Sequence, residues 1–167
     1  NPIISYYDYT NGDLKVAACT NPTCNPTTSQ AATYNFGFLG QPFEYMSIAV
    51  GRDGNPIISY TSDNNRDLTV AACTNPTCDP TILDPFNFYP FNIYTLATGS
   101  VGGYTSLAIG LNGNPVISYY DDIDHAPKVA VCANPTCNPT TSPATTYTVD
   151  STGDVGSDTS IAIGANG

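Results

Sequence analysis

Six residues that return twice more constrain this chain most. Asn1-Pro2-Ile3-Ile4-Ser5-Tyr6 recurs as Asn55-Pro56-Ile57-Ile58-Ser59-Tyr60 and as Asn114-Pro115-Val116-Ile117-Ser118-Tyr119. The copies span residues 1–54, 55–113 and 114–167, with lengths of 54, 59 and 54, and account for all 167 positions. Leu14-Lys15-Val16-Ala17-Ala18-Cys19 matches Leu68-Thr69-Val70-Ala71-Ala72-Cys73 and Pro127-Lys128-Val129-Ala130-Val131-Cys132, each followed one residue later by Asn-Pro-Thr-Cys. Each copy closes on Ser-x-Ala-x-Gly, at Ser47 to Gly51, Ser106 to Gly110 and Ser160 to Gly164. Self-similarity of this kind marks a supersecondary unit that buries its apolar faces by stacking on further copies. The five extra residues of copy two fall between Cys78 and Ser106, where Asp84 to Phe91 reads as an enlarged loop at an exposed edge.

With 14 Gly, 14 Pro and 12 Tyr but a single Met, the composition favours strands and turns over helices. Each copy offers four strands; in copy one they are Ile3 to Tyr7, Leu14 to Cys19, Thr33 to Phe36 and Ser47 to Val50. Gly51-Arg52-Asp53-Gly54 and Gly110-Leu111-Asn112-Gly113 supply the positive-φ residues of a tight hairpin, joining the last strand of one copy to the first of the next. Ile4 and Tyr6 point to one face and Ile3 and Tyr7 to the other, as in a sheet covered on both sides. The unit is shorter than an immunoglobulin-type sandwich of about 100 residues and longer than one coil of a typical solenoid. It suits a four-stranded propeller blade. The fold expected is therefore all-β, with three four-stranded antiparallel β-propeller-type blades forming part of a larger ring or open array. Apolar faces, with Ile3, Ile4 and Val16 among their residues, are expected to be left open at its ends. Gly167 stands where Gly54 and Gly113 stand relative to the next Asn-Pro, so the segment reads as a window of whole repeats continuing into a further first strand.

The run from Ser106 to Asp121, Ser-Leu-Ala-Ile-Gly-Leu-Asn-Gly-Asn-Pro-Val-Ile-Ser-Tyr-Tyr-Asp, resembles the repeats of a bacterial extracellular β-propeller-type family related in shape to sialidase-like propellers. The resemblance covers all three copies and includes Leu14-Lys15-Val16-Ala17. It implies a propeller fold and a place in secreted or surface-anchored proteins, and no particular activity, because such folds host many. Family members often carry a Trp in the outer strand, whereas this chain has none and carries a Cys-x-x-x-x-Cys insertion instead.

The six cysteines form three identically spaced pairs, Cys19 with Cys24, Cys73 with Cys78 and Cys132 with Cys137. A Pro-containing turn brings such ends within disulfide reach. Zinc would need two pairs per ion or added histidines, and the sole His125 lies in another loop. Disulfides expected within each repeat place the chain outside the cytoplasm, at an extracellular or cell-surface location.

Four Lys+Arg against fourteen Asp+Glu give a net charge of -10, which repels nucleic acid and anionic bilayers. No apolar run approaches the roughly 20 residues of a membrane span. His125, in Asp121-Asp122-Ile123-Asp124-His125, lacks a Gly-x-Ser-x-Gly partner, and only Arg52 and Arg66 are available where a sialidase needs an arginine cluster. Asp8 and Asp121 share a repeat position that Ser62 fills in copy two, which reads as turn capping rather than a glycosidase pair. Asp121, Asp122 and Asp124 lack the Gly and terminal Glu of an EF-hand. No enzyme activity, metal or cofactor is expected. Tyr7, Tyr9 and Tyr120 are candidate glycan contacts, although aromatics at fixed repeat positions also fill space between sheets. The run Asn138 to Pro143 resembles an O-glycosylated segment in composition. The function expected is a structural or adhesive repeat module whose partners are further copies of the repeat, in the same chain or a neighbouring subunit. The alternative is a carbohydrate-binding propeller with glycans as partners.

Overall fold

A computed structural model of the chain describes residues 1–36, 42–62, 65–82 and 91–166. These residues are all-β and contain no helix. The strands are β1 (Ile3–Asp8), β2 (Asp13–Ala18), β3 (Ala32–Asn35), β4 (Pro42–Val50), β5 (Pro56–Ser62), β6 (Leu68–Cys73), β7 (Phe91–Ala97), β8 (Val101–Ile109), β9 (Pro115–Asp121), β10 (Ala126–Val131) and β11 (Thr145–Thr148). They form three antiparallel sheets: β1-β2-β3, then β4-β5-β6-β7, then β8-β9-β10-β11. The first three strands of copy one lie within a residue of their sequence-based bounds, and the fourth, β4, begins earlier at Pro42.

The sheets do not coincide with the copies. Gly51 N–H donates to Asn55 O at 2.8 Å and Gly54, at φ 85°, donates to Gly51 O at 3.0 Å, so the closing strand of copy one folds straight onto the opening strand of copy two. Gly110, Gly113 and Asn114 repeat this turn before copy three. Each four-stranded sheet therefore takes its first strand from one copy and its other three from the next. That offset corrects the expectation of three four-stranded sheets. The first sheet has three strands, and Ser160 to Gly164, the closing segment of copy three, belongs to no sheet among the described residues. The enlarged loop expected at Asp84 to Phe91 lies outside the described residues except for Phe91, which opens β7.

Two cores separate the three sheets. Between the first and second, Leu14, Val16 and Phe36 meet Ile58, Tyr60, Ala71 and Phe91. Phe36 and Phe91 stack with ring centroids 4.5 Å apart. Between the second and third, Ile57, Leu68 and Val70 meet Val101, Leu107, Ile117, Tyr119 and Ala130. Strand alternation thus sends Ile58 and Tyr60 toward the preceding sheet and Ile57 toward the following one. The two-faced apolar pattern of the sequence is satisfied in full only in the second sheet, where β6 is buried along its whole length. In the first sheet Ile4 is 46% exposed and Tyr6 36% exposed. Val16, expected on an open face, is instead fully buried, because it points toward the second sheet.

Copies one and three pair Asp8 with Lys15 and Asp121 with Lys128. Copy two places Ser62 and a buried Thr69 at those positions.

All three disulfides, Cys19–Cys24, Cys73–Cys78 and Cys132–Cys137, are formed, with Cα separations of 5.1, 5.2 and 5.0 Å. Each second cysteine takes a positive φ, 51° at Cys24, 54° at Cys78 and 56° at Cys137. The preceding asparagine holds the loop in that shape. Asn75 Oδ1 accepts from Thr77 N–H and Asp79 N–H while its amide donates to Asp79 O, and Asn21 and Asn134 do the same in their loops. The next Asn or Asp caps a second turn, Asp79 for Thr81, Asn25 for Thr27 and Asn138 for Thr140. The hydroxyls of Thr27, Thr81 and Thr140 donate into these caps, which gives part of each Thr-rich stretch a structural task.

Candidate functional site

Side chains of the repeat link the second sheet to β8, and the same links run on past the third sheet. Ser59 Oγ donates to Thr105 Oγ1 at 3.0 Å, and one repeat later Ser118 Oγ donates to Thr159 Oγ1 at 3.1 Å. Leu107 N–H donates to Ser47 Oγ at 3.0 Å, and Ile161 N–H donates to Ser106 Oγ at 3.2 Å. Gly102, at φ 107°, lies so close to Leu68 that a Cβ would come within 2.8 Å of its backbone. Gly156, at φ 100°, sits likewise on Pro127, the equivalent of Leu68. Residues 156–161 therefore stand to the third sheet as residues 102–107 of β8 stand to the second. At the opposite end, β1 pairs only with β2, and its other edge has no partner strand among the described residues.

A shallow open cleft of about 250 Å³ lies where β4, β8 and this closing segment run side by side, lined by Tyr45, Met46, Tyr104, Thr105, Asp158 and Thr159. Tyr45, Tyr104 and Asp158 each precede the repeat serine by two residues, so one position of the repeat converges on one cleft from three copies. The β4–β5 register shifts between Pro42 and Met46, and the β8–β9 register shifts between Gly103 and Ser106. Bulges of this kind turn a side chain out of the normal alternation. Tyr104, at φ 52°, and Asp158, at φ 61°, hold a left-handed conformation that is uncommon for any residue other than glycine. The Tyr45 and Tyr104 rings lie 4.1 Å apart with planes tilted by 43°, and Tyr120 adds an edge 6.4 Å from Tyr104. Thr159 Oγ1 donates to Tyr104 O at 2.6 Å, which ties the closing segment to the strand carrying the ring.

The sequence-based candidates occupy other places. Tyr7 and Tyr9 form an edge-on pair with centroids 4.7 Å apart, and Tyr9 is exposed. Tyr120 is buried, and its hydroxyl donates to Asp154 at 2.5 Å and lies 3.2 Å from His125 Nδ1. The hydrogen bond to Asp154 pushes the Tyr120 phenol up to about 12. His125 itself is exposed, 3.8 Å from the Asp154 carboxylate. Asp8 and Asp121 cap turns, at Thr10 for the first and at Ile123 and Asp124 for the second. The acidic loop is paired with two cations, since Lys128 holds Asp121 at 2.6 Å and Asp124 at 2.5 Å, and Arg66 of copy two holds Asp122 at 2.8 Å. Burial raises the Asp121 carboxyl, but the Lys128 ammonium and two backbone N–H groups outweigh it and hold the carboxyl below its ordinary value.

Tyr45, Tyr104 and Asp158 were not picked out by reading the sequence. Their signal is positional, because extending the repeat alignment two residues before each serine gives Tyr, Tyr and Asp. No family model and no curated protein matches the chain.

Proposed function

We propose that the chain is a non-enzymatic, extracellular structural or adhesive module whose sheets are blades of β-propeller type, assembling through further copies of the repeat into a ring or an open array. The carrying observation is the pair of serine hydrogen bonds that continues unchanged from β8 to Thr159 and Ile161. The segment bearing them takes the place of an inner strand without a sheet partner among the described residues, and the open edge of β1 has the sequence of the strand that such an inner strand pairs with. Ser47 faces Ser59 and Ile48 faces Ile58, and Ser106 faces Ser118 and Leu107 faces Ile117. The same register sets Ser160 opposite Ser5 and Ile161 opposite Ile4. Small Ser, Ala and Gly residues on adjacent inner strands suit a crowded axis. Rotation that closes gives a ring, and rotation that does not gives an open array. Three disulfides within the repeats support an oxidising, extracellular setting. Asp8, Asp121, Asp122, Asp124, His125, the loop asparagines Asn21, Asn75 and Asn134, and the serines Ser47, Ser59, Ser106 and Ser118 are engaged in turns, ion pairs and links between sheets, which supports a scaffold over a catalyst.

Light scattering and electron microscopy of the purified 167-residue chain test this reading. Particles larger than one chain are expected, and Ile4→Asp, on the open face of the first sheet, should reduce them to single chains. A stable monodisperse species of one wild-type chain overturns it.

A further inference from the structure

We infer that the cleft between Tyr45, Tyr104 and Asp158 is a subsite for one ring of an uncharged sugar chain. Three observations converge on it: one repeat position supplies all three side chains, bulges in β4 and β8 precede two of them, and Tyr104 and Asp158 are both held at positive φ. Non-glycine residues kept in this conformation concentrate at binding and switch sites, because the surrounding structure must over-determine them. The left-handed conformation at Tyr104 does not itself call for a tyrosine, since glycine takes it without strain.

The chemistry selects the ligand. Tyr45 and Tyr104 stack on each other with centroids 4.1 Å apart, so the pair offers a ligand an outer ring face as a single wall. A wall fits the apolar face of a pyranose, whereas a quaternary ammonium is held by rings standing around it. Asp158, which also lines the cleft, is exposed, and a carboxylate there accepts charge-assisted hydrogen bonds from sugar hydroxyls. A chain of net charge -10 repels uronic and sialic acids, which leaves neutral sugars. At about 250 Å³ the cleft is smaller than the roughly 300–1,000 Å³ of most small-molecule sites, and it is open, so it grips one ring of a glycan that runs on over the surface. This inference goes beyond assembly and stands or falls apart from it, because binding and particle size are separate readouts.

The test is an array of neutral, amino and acidic oligosaccharides followed by titration of the best hit by NMR, with tetramethylammonium as a competing probe. Neutral oligosaccharides should bind and shift resonances of Tyr104. Tyr104→Phe keeps the wall and should bind like the wild type, while Tyr104→Gly should weaken binding about tenfold. Asp158→Asn, on an exposed residue that tolerates the same backbone conformation, should weaken it about three- to tenfold. Tyr147→Ser, on the exposed β11, should leave it unchanged. The inference is overturned by a lack of neutral-sugar binding, by binding that survives Tyr104→Gly, or by tetramethylammonium or acidic sugars binding more tightly than neutral ones.

Discussion

Ile4 and Ile58 are the fourth residues of two identical hexapeptides, each followed by Ser-Tyr, yet Ile58 is fully buried and Ile4 is 46% exposed. Tyr6 and Tyr60 differ in the same direction, at 36% and 0%. Local sequence cannot be the cause. Each sheet of this fold offers one set of alternating side chains to its predecessor and the other to its successor. The second sheet has both neighbours, and the first has only the second. Burial here is a property of position in the stack, and the comparison between these two sheets measures what a neighbour contributes.

The largest expected effect separates the two isoleucines. Ile58→Ala should destabilise the chain by about 3 kcal/mol, through lost burial and the cavity left between two sheets. Ile4→Ala should cost about 1 kcal/mol or less while that face stays open. Urea titrations at low and high protein concentration check both values. If Ile4→Ala becomes as costly as Ile58→Ala at high concentration, a second copy covers the first sheet in solution.

Next come the asparagines of the disulfide loops. Asn75 is buried and orders its loop with four hydrogen bonds, two of them accepted from backbone N–H groups. Asn75→Ala leaves those donors without a partner away from water and should cost about 2–3 kcal/mol. Asn21→Ala removes the same kind of bonds in the exposed loop of the first sheet, where water replaces them, and should cost about 1 kcal/mol. Thermal unfolding of the two variants, compared side by side, gives the difference. Equal losses would mean that the loop of the second sheet is as wet as that of the first.

The disulfides should follow the same gradient. Each closes a short loop and contributes about 2 kcal/mol in the chain-entropy model. Cys24 is partly accessible, whereas Cys78 and Cys137 are buried. Under dilute reductant with alkylation, peptide mass spectrometry should find Cys19 and Cys24 modified first and Cys73 and Cys78 last. Early loss of the Cys73–Cys78 bridge would break the comparison.

How much of this could be read from the sequence follows from which features are local. The hairpin at Gly51 to Gly54 and the pairing of cysteines five positions apart depend on a few neighbouring residues, and both were legible. The offset between copies and sheets was half legible. The hairpin was expected, but counting four strands within each copy hid its consequence, that β4 belongs with β5 and leaves the first sheet one strand short. Asn21, Asn75 and Asn134 were visible as repeated letters while their role was not, because the amide and the two backbone donors it satisfies meet only once the cysteine takes its positive φ. The cleft was illegible for a stronger reason. Tyr45, Tyr104 and Asp158 lie far apart in sequence, and the first two fall at register shifts in β4 and β8 that the sequence does not mark. Tyr7 and Tyr9, by contrast, lay in plain view as aromatics in and beside a strand.

The smallest expected effect has the opposite sign. The Tyr60 hydroxyl is buried between the first and second sheets with no hydrogen-bond partner among the described residues, and burial pushes its phenol far above the usual tyrosine range. A hydroxyl that gave up water and found no replacement lowers the stability of the folded state. Tyr60→Phe keeps the ring that fills the space and deletes the orphan, so the variant should be more stable by about 1 kcal/mol. Tyr6→Phe makes the same change at the same repeat position on the open face, where the hydroxyl remains in water, and should change stability by less than about 0.5 kcal/mol. Paired urea titrations resolve a difference of this size if the transition slopes are unchanged. A destabilised Tyr60→Phe would mean that the hydroxyl has a partner in solution, such as a water molecule held between the sheets. The interface that buries Ile58 would then be wetter than its apolar residues imply, and the measured loss from Ile58→Ala should shrink with it.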